Sequence, residues 1–337
     1  MPEDKITSLD VARRAGVSQS AVSRVFSGAS ASAATAEKVR RAAEELGYRP
    51  NPLARAMITG KSRIIGLVVA YLDNQFYPLA LERLSKGFQE QGYHVLLFLI
   101  GNDPDRVETV VQEMMDYHVD GIVTASVALS NAVVARCEGA GIPVVMFNRG
   151  QDDPRLTEVT SDNLAGGRAV AQFLVAGGHR RLAHIAGWQG SSTGRDRTQG
   201  FVQGLAAAGL APVVIEDGLY SQETAAALTR QIFGAPDRPD AVFVGNDHMA
   251  FAVMDTLRFE LGLSVPGDVS VVGYDDVPIA AWPAYDLTTI RQPVNRMADA
   301  TVEALMARIE GDAAPRHIRI PGPLKIRGSA RKPKGFT

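Results

Sequence analysis

The sequence predicts a small all-α helix-turn-helix head followed by an α/β body of two Rossmann-like halves. Three observations carry that expectation. Two short apolar-periodic segments flank Gly16 near the start, and β-rich runs alternate with helical ones from residue 62 onward. Charge is also divided between the two regions. Residues 1–63 hold 11 Lys/Arg against 6 Asp/Glu, a net of +5, and the remainder holds 24 against 31, a net of −7. A basic head on an acidic body points the head at a polyanion.

At 337 residues the chain has room for two to three domains, since domains run about 100–200 residues. With 46% hydrophobic and 21% charged residues it reads as a soluble globular protein. The opening MPEDKITSLD lacks an apolar signal-peptide core, and no run approaches the roughly 20 apolar residues of a membrane span. A cytoplasmic protein without membrane contact is expected. The single cysteine, Cys137, cannot form an internal disulfide and reads as a small buried hydrophobe on a helix.

In SLDVARRAGVSQSAVSRVF (8–26), Leu9, Ala12 and Ala15 share one helical face, and Val22, Val25 and Phe26 share another. Gly16 sits where a tight turn needs a positive φ, Ser18 can cap the second helix, and Ala12 is small where the helices would cross. The apolar positions alone fit any short helical hairpin. Gln19, Ser20, Ser23 and Arg24 on the second helix favour a DNA-reading one, because short or forked donors suit base edges and phosphates. A third helix over 33–46, with Thr35 near its start, offers Val39, Ala42, Ala43 and Leu46 to a small core.

The body reads as strands at 63–70, 94–100, 121–125, 144–147, 181–186, 213–216, 241–244 and 269–273. Helical segments are expected at 78–91, 105–117, 163–176, 197–208, 222–233 and 248–262. Apolar strands alternating with helices imply parallel sheets covered on both faces. NRGQDDPRLTEVTSDN breaks the rhythm after the fourth strand, which divides the body into two halves. The tail adds an amphipathic helix and two short strands punctuated by PGP.

In open parallel sheets, ligands sit beyond the carboxyl ends of the strands. Those ends carry Asp73, Phe76, Tyr77, Asn148 and Arg149 in the first half, then Arg197, Tyr220, Asn246, Asp247, Asp275 and Asp276 in the second. Amides, a guanidinium and carboxylates beside aromatic rings suit a polyhydroxylated ligand. Three of these positions also have purely structural readings: Asp276 as a cap or local partner, and Arg197 with Asp275 as an ion pair.

Enzyme motifs are weak. GSSTG (190–194) matches G-x-S-x-G around Ser192, with Asp275 and His317 following in hydrolase order, but the strand RLAHIAG ends too early for a nucleophile elbow. No dinucleotide or phosphate loop follows the first strand, and the six His are scattered without ligand spacing. The expectation is a protein that is not an enzyme and has neither cofactor nor metal, with a hydrolase using Ser192 as the competing reading.

DVARRAGVSQSAVSRVFSG, AAEELGYRPNPLAR, SDNLAGGRAVAQFLVAGGHRRLAHIAG, PDAVFVGNDHMAFAVMDTL, VPGDVSVVGYDD and LTTIRQP together resemble the lactose/galactose repressor family of bacterial transcription regulators, in register along essentially the whole chain. The resemblance implies a periplasmic-binding-protein-like body and a homodimer, or a dimer of dimers, on near-palindromic operator DNA. It places base reading at Gln19, Ser20 and Arg24, and phosphate contacts at Thr7, Ser18 and Thr35. Ser8 departs from the family's usual Leu or Ile, and Ser27-Gly28 from its frequent Asn-Gly.

For the body the resemblance implies effector contacts at Phe76, Asn148, Arg197, Tyr220, Asn246, Asp275 and Gln292. The effector is expected to be sugar-like, with a nucleobase or other non-sugar metabolite as the alternative. Asn148 stands where Asp is common in the family. The implied organisation is a DNA-binding domain at 1–50, a hinge helix and linker at 51–61, and two halves of an effector-binding domain. These are 62–161 plus 291–321, and 162–290 plus 322–330.

RPNPLARAM (49–57) opens with two prolines that can start a helix near Asn51 or Pro52. About seven residues fall short of the ~12–15 that sustain a helix alone. The resemblance makes this segment a hinge helix that folds on the operator, with Asn51, Leu53, Ala54 and Met57 on DNA. Met57, where Leu is usual, is the apolar wedge into the minor groove. A plain linker is the other reading.

Overall fold

A computed structural model describes residues 6–27, 30–49, 60–101, 104–127 and 130–334. The hinge expectations at Asn51, Leu53, Ala54 and Met57 lie outside the described residues. Three helices form the head: α1 (Ser8–Ala15), α2 (Gln19–Ser27) and α3 (Ala33–Glu45). Thr7 starts α1, with its N–H and hydroxyl both donating to the Asp10 carboxylate, at 2.9 and 2.6 Å. Gly16 ends α1 at φ +65°, the left-handed conformation that the turn demands.

Val11, Ala12, Val22, Val39, Ala42 and Ala43 make the core of the head. Leu9, which shares a helical face with Ala12 and Ala15, does not join that core. Leu9 is 43% exposed, and Val11 at 0% takes the core position, so the buried stripe runs through 11, 12 and 15. The helix meets its two neighbours along that stripe, which turns Leu9 outward.

The body contains two six-stranded sheets. The first comprises β1 (Ile64–Val69), β2 (His94–Leu99), β3 (Gly121–Ala125), β4 (Val144–Phe147), β5 (Thr157–Ser161) and β11 (His317–Ile320). It runs in the order β11-β5-β4-β3-β1-β2, with every pairing parallel. The second comprises β6 (Leu182–Ala186), β7 (Val214–Asp217), β8 (Ala241–Val244), β9 (Ser270–Asp275), β10 (Thr288–Arg291) and β12 (Leu324–Lys325). Its order is β12-β10-β9-β8-β6-β7, with only β12 antiparallel.

Helices α4 (Phe76–Glu90), α5 (Pro104–Asp116) and α6 (Asn131–Gly139) alternate with strands of the first sheet. The second sheet is covered by α7 (Asn163–Ala176), α8 (Ser192–Ala206), α9 (Gln222–Phe233) and α10 (Asp247–Asp255), the last continued by a π-helical turn at Thr256–Glu260. α11 (Val294–Ile309) follows β10 but packs on the first half, against α4. The chain therefore passes from one sheet to the other after β5, after β10 and after β11. Among the described residues, no helix is long and apolar enough to cross a membrane.

β5 was missed in the sequence because TEVTS lacks apolar patterning, although all five residues are buried. Thr157 Oγ1 accepts from the Arg316 amide and the Arg308 guanidinium at 3.3 Å, and Ser161 Oγ lies 3.0 Å from Tyr274 Oη. Such satisfied polar groups permit burial without a hydrophobic signature. The expectation of sheets covered on both faces fails at the edges. Leu97 and Leu99 on β2 are 43% and 48% exposed, and Ile215 on β7 is 40% exposed.

Cys137 is buried on α6, and burial pushes its thiol pKa up, as an inert cysteine requires. Glycines let α7 and α8 approach closely. A Cβ at Gly167 would stand 2.3 Å from the Arg197 carbonyl oxygen, and one at Gly200 would stand 2.2 Å from that of Leu164. Gly167→Ala should therefore destabilise the body by about 1–3 kcal/mol through overpacking. Urea unfolding measures this, and an unchanged midpoint would show that the helices separate without cost.

Candidate ligand cleft and nucleic-acid interface

On the head, α2 presents Gln19, Ser20 and Arg24 to solvent. Ser18 precedes the helix, with its Oγ accepting the Ala21 amide at 3.2 Å and lying 2.9 Å from Ser20 Oγ. Arg24 is exposed and carries no side-chain partner among the described residues, so its fork is available to a base edge or phosphate. Thr35 Oγ1 lies 2.8 Å from Oγ of Ser32, the N-cap of α3. Thr7 differs from a free phosphate donor: its hydroxyl proton is committed to Asp10, so a hydroxyl–phosphate contact requires that cap to open.

The departure at Ser8 acquires a structural meaning. Gln19 Nε2 donates to Ser8 Oγ at 2.9 Å, which fixes the end of the Gln19 side chain. Ser8→Ala removes an exposed bond worth about 0.5–1.5 kcal/mol. We expect a broadened base preference opposite Gln19 when the variant is selected on a DNA library. An unaltered preference would mean that Gln19 leaves Ser8 when it binds.

In the body, the carboxyl ends of the two sheets face one another across a narrow cavity of about 10 Å³, roughly the space of one water. The first half supplies Tyr71, Asn74, Tyr77, Asn148 and Arg149; the second supplies Thr193, Arg197, Tyr220, Asn246 and Asp275; Gln292, after β10, completes the lining. Of the seven effector contacts that the resemblance implies, six are thus brought together, whereas Asp73, Asp247 and Asp276 from the strand ends lie off the cavity. Phe76 does not line this cavity. It starts α4, stacks on Phe147 with ring centroids 6.1 Å apart, and supports the neighbouring Tyr77 edge-on at 5.4 Å. Its ring packs inward because the helix start turns Asn74 and Tyr77 to the opening instead.

The second half is organised by Arg197, which is 2% exposed. Its Nε donates to Asn163 Oδ1 at 2.9 Å, and one terminal nitrogen donates to the Gly245 carbonyl at 2.6 Å. The guanidinium lies 3.7 Å from the Tyr274 ring centroid and 3.8 Å from the Asp275 carboxylate. Asp275 also accepts from Gln292 Nε2 at 2.7 Å and from Asn74 Nδ2 at 3.2 Å. The Asn74 bond crosses between the halves. Burial raises the Asp275 carboxyl pKa, while Arg197, Gln292 and Asn74 act in the opposite direction.

Several cavity residues sit on disfavoured backbone: Asn148 at φ +69°, Tyr220 at +57° and Asp275 at +133°. Non-glycine residues in these regions are held there by the surrounding fold and concentrate at functional sites. Asn246 caps α10 through Oδ1, which accepts the Met249 amide at 3.0 Å. Thr193 Oγ1 lies 2.9 Å from Tyr220 Oη. Asp276 has the structural role weighed against it from the start, held by Arg291 and Arg327. Asp73 is largely exposed, 3.7 Å from His248.

Asp247 lies beneath the cavity, fully buried, accepting from Thr289 Oγ1 at 2.6 Å and the Val277 amide at 3.0 Å. Burial, with the nearby charge of Asp275 added, pushes its carboxyl up to about 8 from an ordinary 3.8. A carboxyl raised on folding favours the folded state fully below its unfolded value and loses that contribution as pH rises towards the folded one. Asp247→Asn removes the charge. Its melting temperature should gain on that of the parent between about pH 4 and 8, and a constant difference across that window would contradict the assignment.

The residues of the hydrolase reading are not assembled. Ser192 begins α8 and its Oγ accepts the Gly150 amide at 3.0 Å. His317 instead lies 3.1 Å from the Pro154 carbonyl oxygen and 3.3 Å from Glu158, while Asp275 serves Arg197. Among the described residues, no hydrogen bond joins Ser192 to a histidine.

The strand-end rule found most of the cavity because it reads only position. It passed over Tyr71 and Asn74, which lie beyond β1 in AYLDNQFY, and Thr193, which precedes Arg197 by one helical turn. Extending the reading to the whole loop after each strand would have included the first two.

A solvent-facing helix-turn-helix on a body whose halves share one polar cavity defines a ligand-responsive DNA-binding regulator. Residues 7–51 match the profile described as bacterial regulatory proteins, lacI family, and residues 171–330 match the periplasmic binding protein-like domain. The chain is 33% identical over 312 residues to the HTH-type transcriptional regulator CelR of Thermobifida fusca, covering 90% of this chain and 91% of the relative. It is 32% identical over 312 residues to the ribose operon repressor of Escherichia coli K12, covering 90% and 93%. Among solved structures, the lac repressor dimer bound to operator and the anti-inducer ONPF superposes with a TM-score of 0.87 at 28% identity, covering 97% of this chain and 99% of that one. The chain belongs to the LacI family of bacterial regulatory proteins.

Proposed function

We propose that this regulator is a cytoplasmic repressor that binds near-palindromic operator DNA as a homodimer, or a dimer of dimers, under the control of a sugar-like effector in the inter-half cavity. One observation carries the reading. The cavity takes its polar groups from both halves, so an occupant changes how the halves sit against each other. Base reading is assigned to Gln19, Ser20 and Arg24, and effector contacts to Asn148, Arg197, Tyr220, Asn246, Asp275 and Gln292. Phe76 is assigned a supporting role behind Tyr77.

The domain limits follow the same logic: a head at 1–50, a hinge at 51–61, and two halves joined by the chain passages near 161, 291 and 321. The ribose operon repressor supplies the precedent for a sugar-operon role, and the lac repressor dimer bound to operator supplies one for DNA binding as a dimer. Hydroxyl groups that both donate and accept match the mixed amide, guanidinium and carboxylate lining. A catalytic role for Ser192 finds no support in its partners.

The test is selection of the full chain on a random double-stranded DNA library, followed by measurement of its assembly state. Recovery of a two-fold symmetric site, bound by two chains, is the expected result. Enrichment of no sequence, or of an asymmetric site bound by one chain, would remove the proposal.

A further inference from the structure

We infer that the effector carries an anionic oxygen group, carboxylate or phosphate, which pairs with Arg149. The inference rests on the effector-binding reading of this cavity. Arg149 is 9% exposed, and it borders both the central cavity and an adjoining space of about 130 Å³ next to Trp188. One terminal nitrogen donates to the Ser126 carbonyl at 2.6 Å and the other to Tyr71 Oη at 2.9 Å. Its Nε is buried with no partner, and among the described residues no carboxylate pairs with the guanidinium.

The contrast with Arg197 is informative. Arg197 is neutralised within the protein by Asp275, 3.8 Å away. Arg149 has two neutral oxygen acceptors and two ring faces, Tyr220 at 5.3 Å and Trp188 at 6.0 Å, and among the described residues no carboxylate. A desolvated cation without a counter-charge is costly, and ring quadrupoles compensate for only part of that cost. The cavity therefore holds one positive charge in excess. The free Nε–H, beside a terminal nitrogen, presents the side-on edge with which arginine grips carboxylate or phosphate oxygens.

The unpartnered acceptors define the rest of the ligand. Gln292 is oriented by Asp275, which takes its amide nitrogen, so Oε1 is left as a buried acceptor without a donor. Asn148 donates to Tyr77 Oη and leaves Oδ1 in the same condition. One cationic donor and two neutral acceptors call for an anionic group at one end and hydroxyls along the skeleton. A sugar acid or a phosphorylated sugar has that pattern, and a neutral sugar lacks its charged end.

The experiment is a thermal-shift and calorimetric comparison of matched probes: glucose, gluconate, glucuronate and glucose 6-phosphate, with the galactose and ribose equivalents, against the full chain and Arg149→Gln. An anionic probe should stabilise the parent where its neutral counterpart at equal concentration does not. The carboxylate and phosphate arms identify which group is used. Arg149→Gln should weaken that probe by about tenfold or more, and Arg149→Lys should recover part of the loss. Operator binding by both variants shows that they fold.

Equal response to the neutral counterpart, an anion response intact in Arg149→Gln, or no response to any anion overturns the inference. A neutral sugar or nucleobase that shifts melting and changes operator affinity would do so while leaving the regulator reading in place.

Discussion

Arg197→Ala should silence the effector response and lower the stability of the body by about 3–5 kcal/mol, the cost of breaking a buried pair from one side. The guanidinium holds Asn163, the Gly245 carbonyl and Asp275 in one arrangement. Its removal leaves the Asp275 carboxylate, 4% exposed, with amide donors alone. The double variant Arg197→Ala/Asp275→Ala separates the two effects. With the orphaned charge gone, stability should return in part, whereas the effector response should stay absent. A single variant that responds normally, measured where it is folded, would show that the pair is only structural.

Arg24→Ala carries the largest expected effect on DNA. An exposed guanidinium, without a side-chain partner among the described residues, on the helix proposed to read bases can make a bidentate contact worth about 1–3 kcal/mol of discrimination. The variant should lose that much specific affinity and relax its preference at one symmetric position of the selected site. Thr35→Ala serves as the control, because loss of a phosphate contact weakens all sequences alike. Unchanged selectivity in Arg24→Ala would place base reading elsewhere on α2.

The coupling we propose between cavity and head would start at the bonds that span the cleft. Asn74 donates to Asp275 at 3.2 Å, Gly150 to Ser192 at 3.0 Å, and Arg195 to Asp152 at 3.0 Å. At about 10 Å³ the cavity is far smaller than the roughly 300–1,000 Å³ of typical small-molecule sites. An effector of sugar size therefore has to part these contacts. Because three chain passages join the halves, their relative movement is confined to a hinge-like path.

Much of this was legible in the sequence because it depends on pattern. Ile-, Val- and Leu-rich runs alternating with capped helices dictate parallel sheets, and parallel sheets dictate where a ligand can sit. What escaped depended on tertiary context. Strand β5 is polar and buried, so its signature lies in partners such as Tyr274 and Arg316, which are distant in sequence. Leu9 faces outward because two helices, and not one, select the buried stripe of α1. Phe76 and Tyr77 are adjacent, and only the start of α4 decides which of them reaches the cavity. The charge excess at Arg149 likewise depends on which neighbours are absent, a property that no local motif encodes.

The most direct test of the account is the operator dissociation constant of the full chain, measured with and without the compound that most raises its melting temperature, and repeated with Arg197→Ala. Linkage between the two sites predicts a change of about 5- to 150-fold in the parent, its direction giving the sign of control, and none in the variant. Identical operator affinity in the parent with the cavity saturated would contradict the coupling on which the whole reading rests.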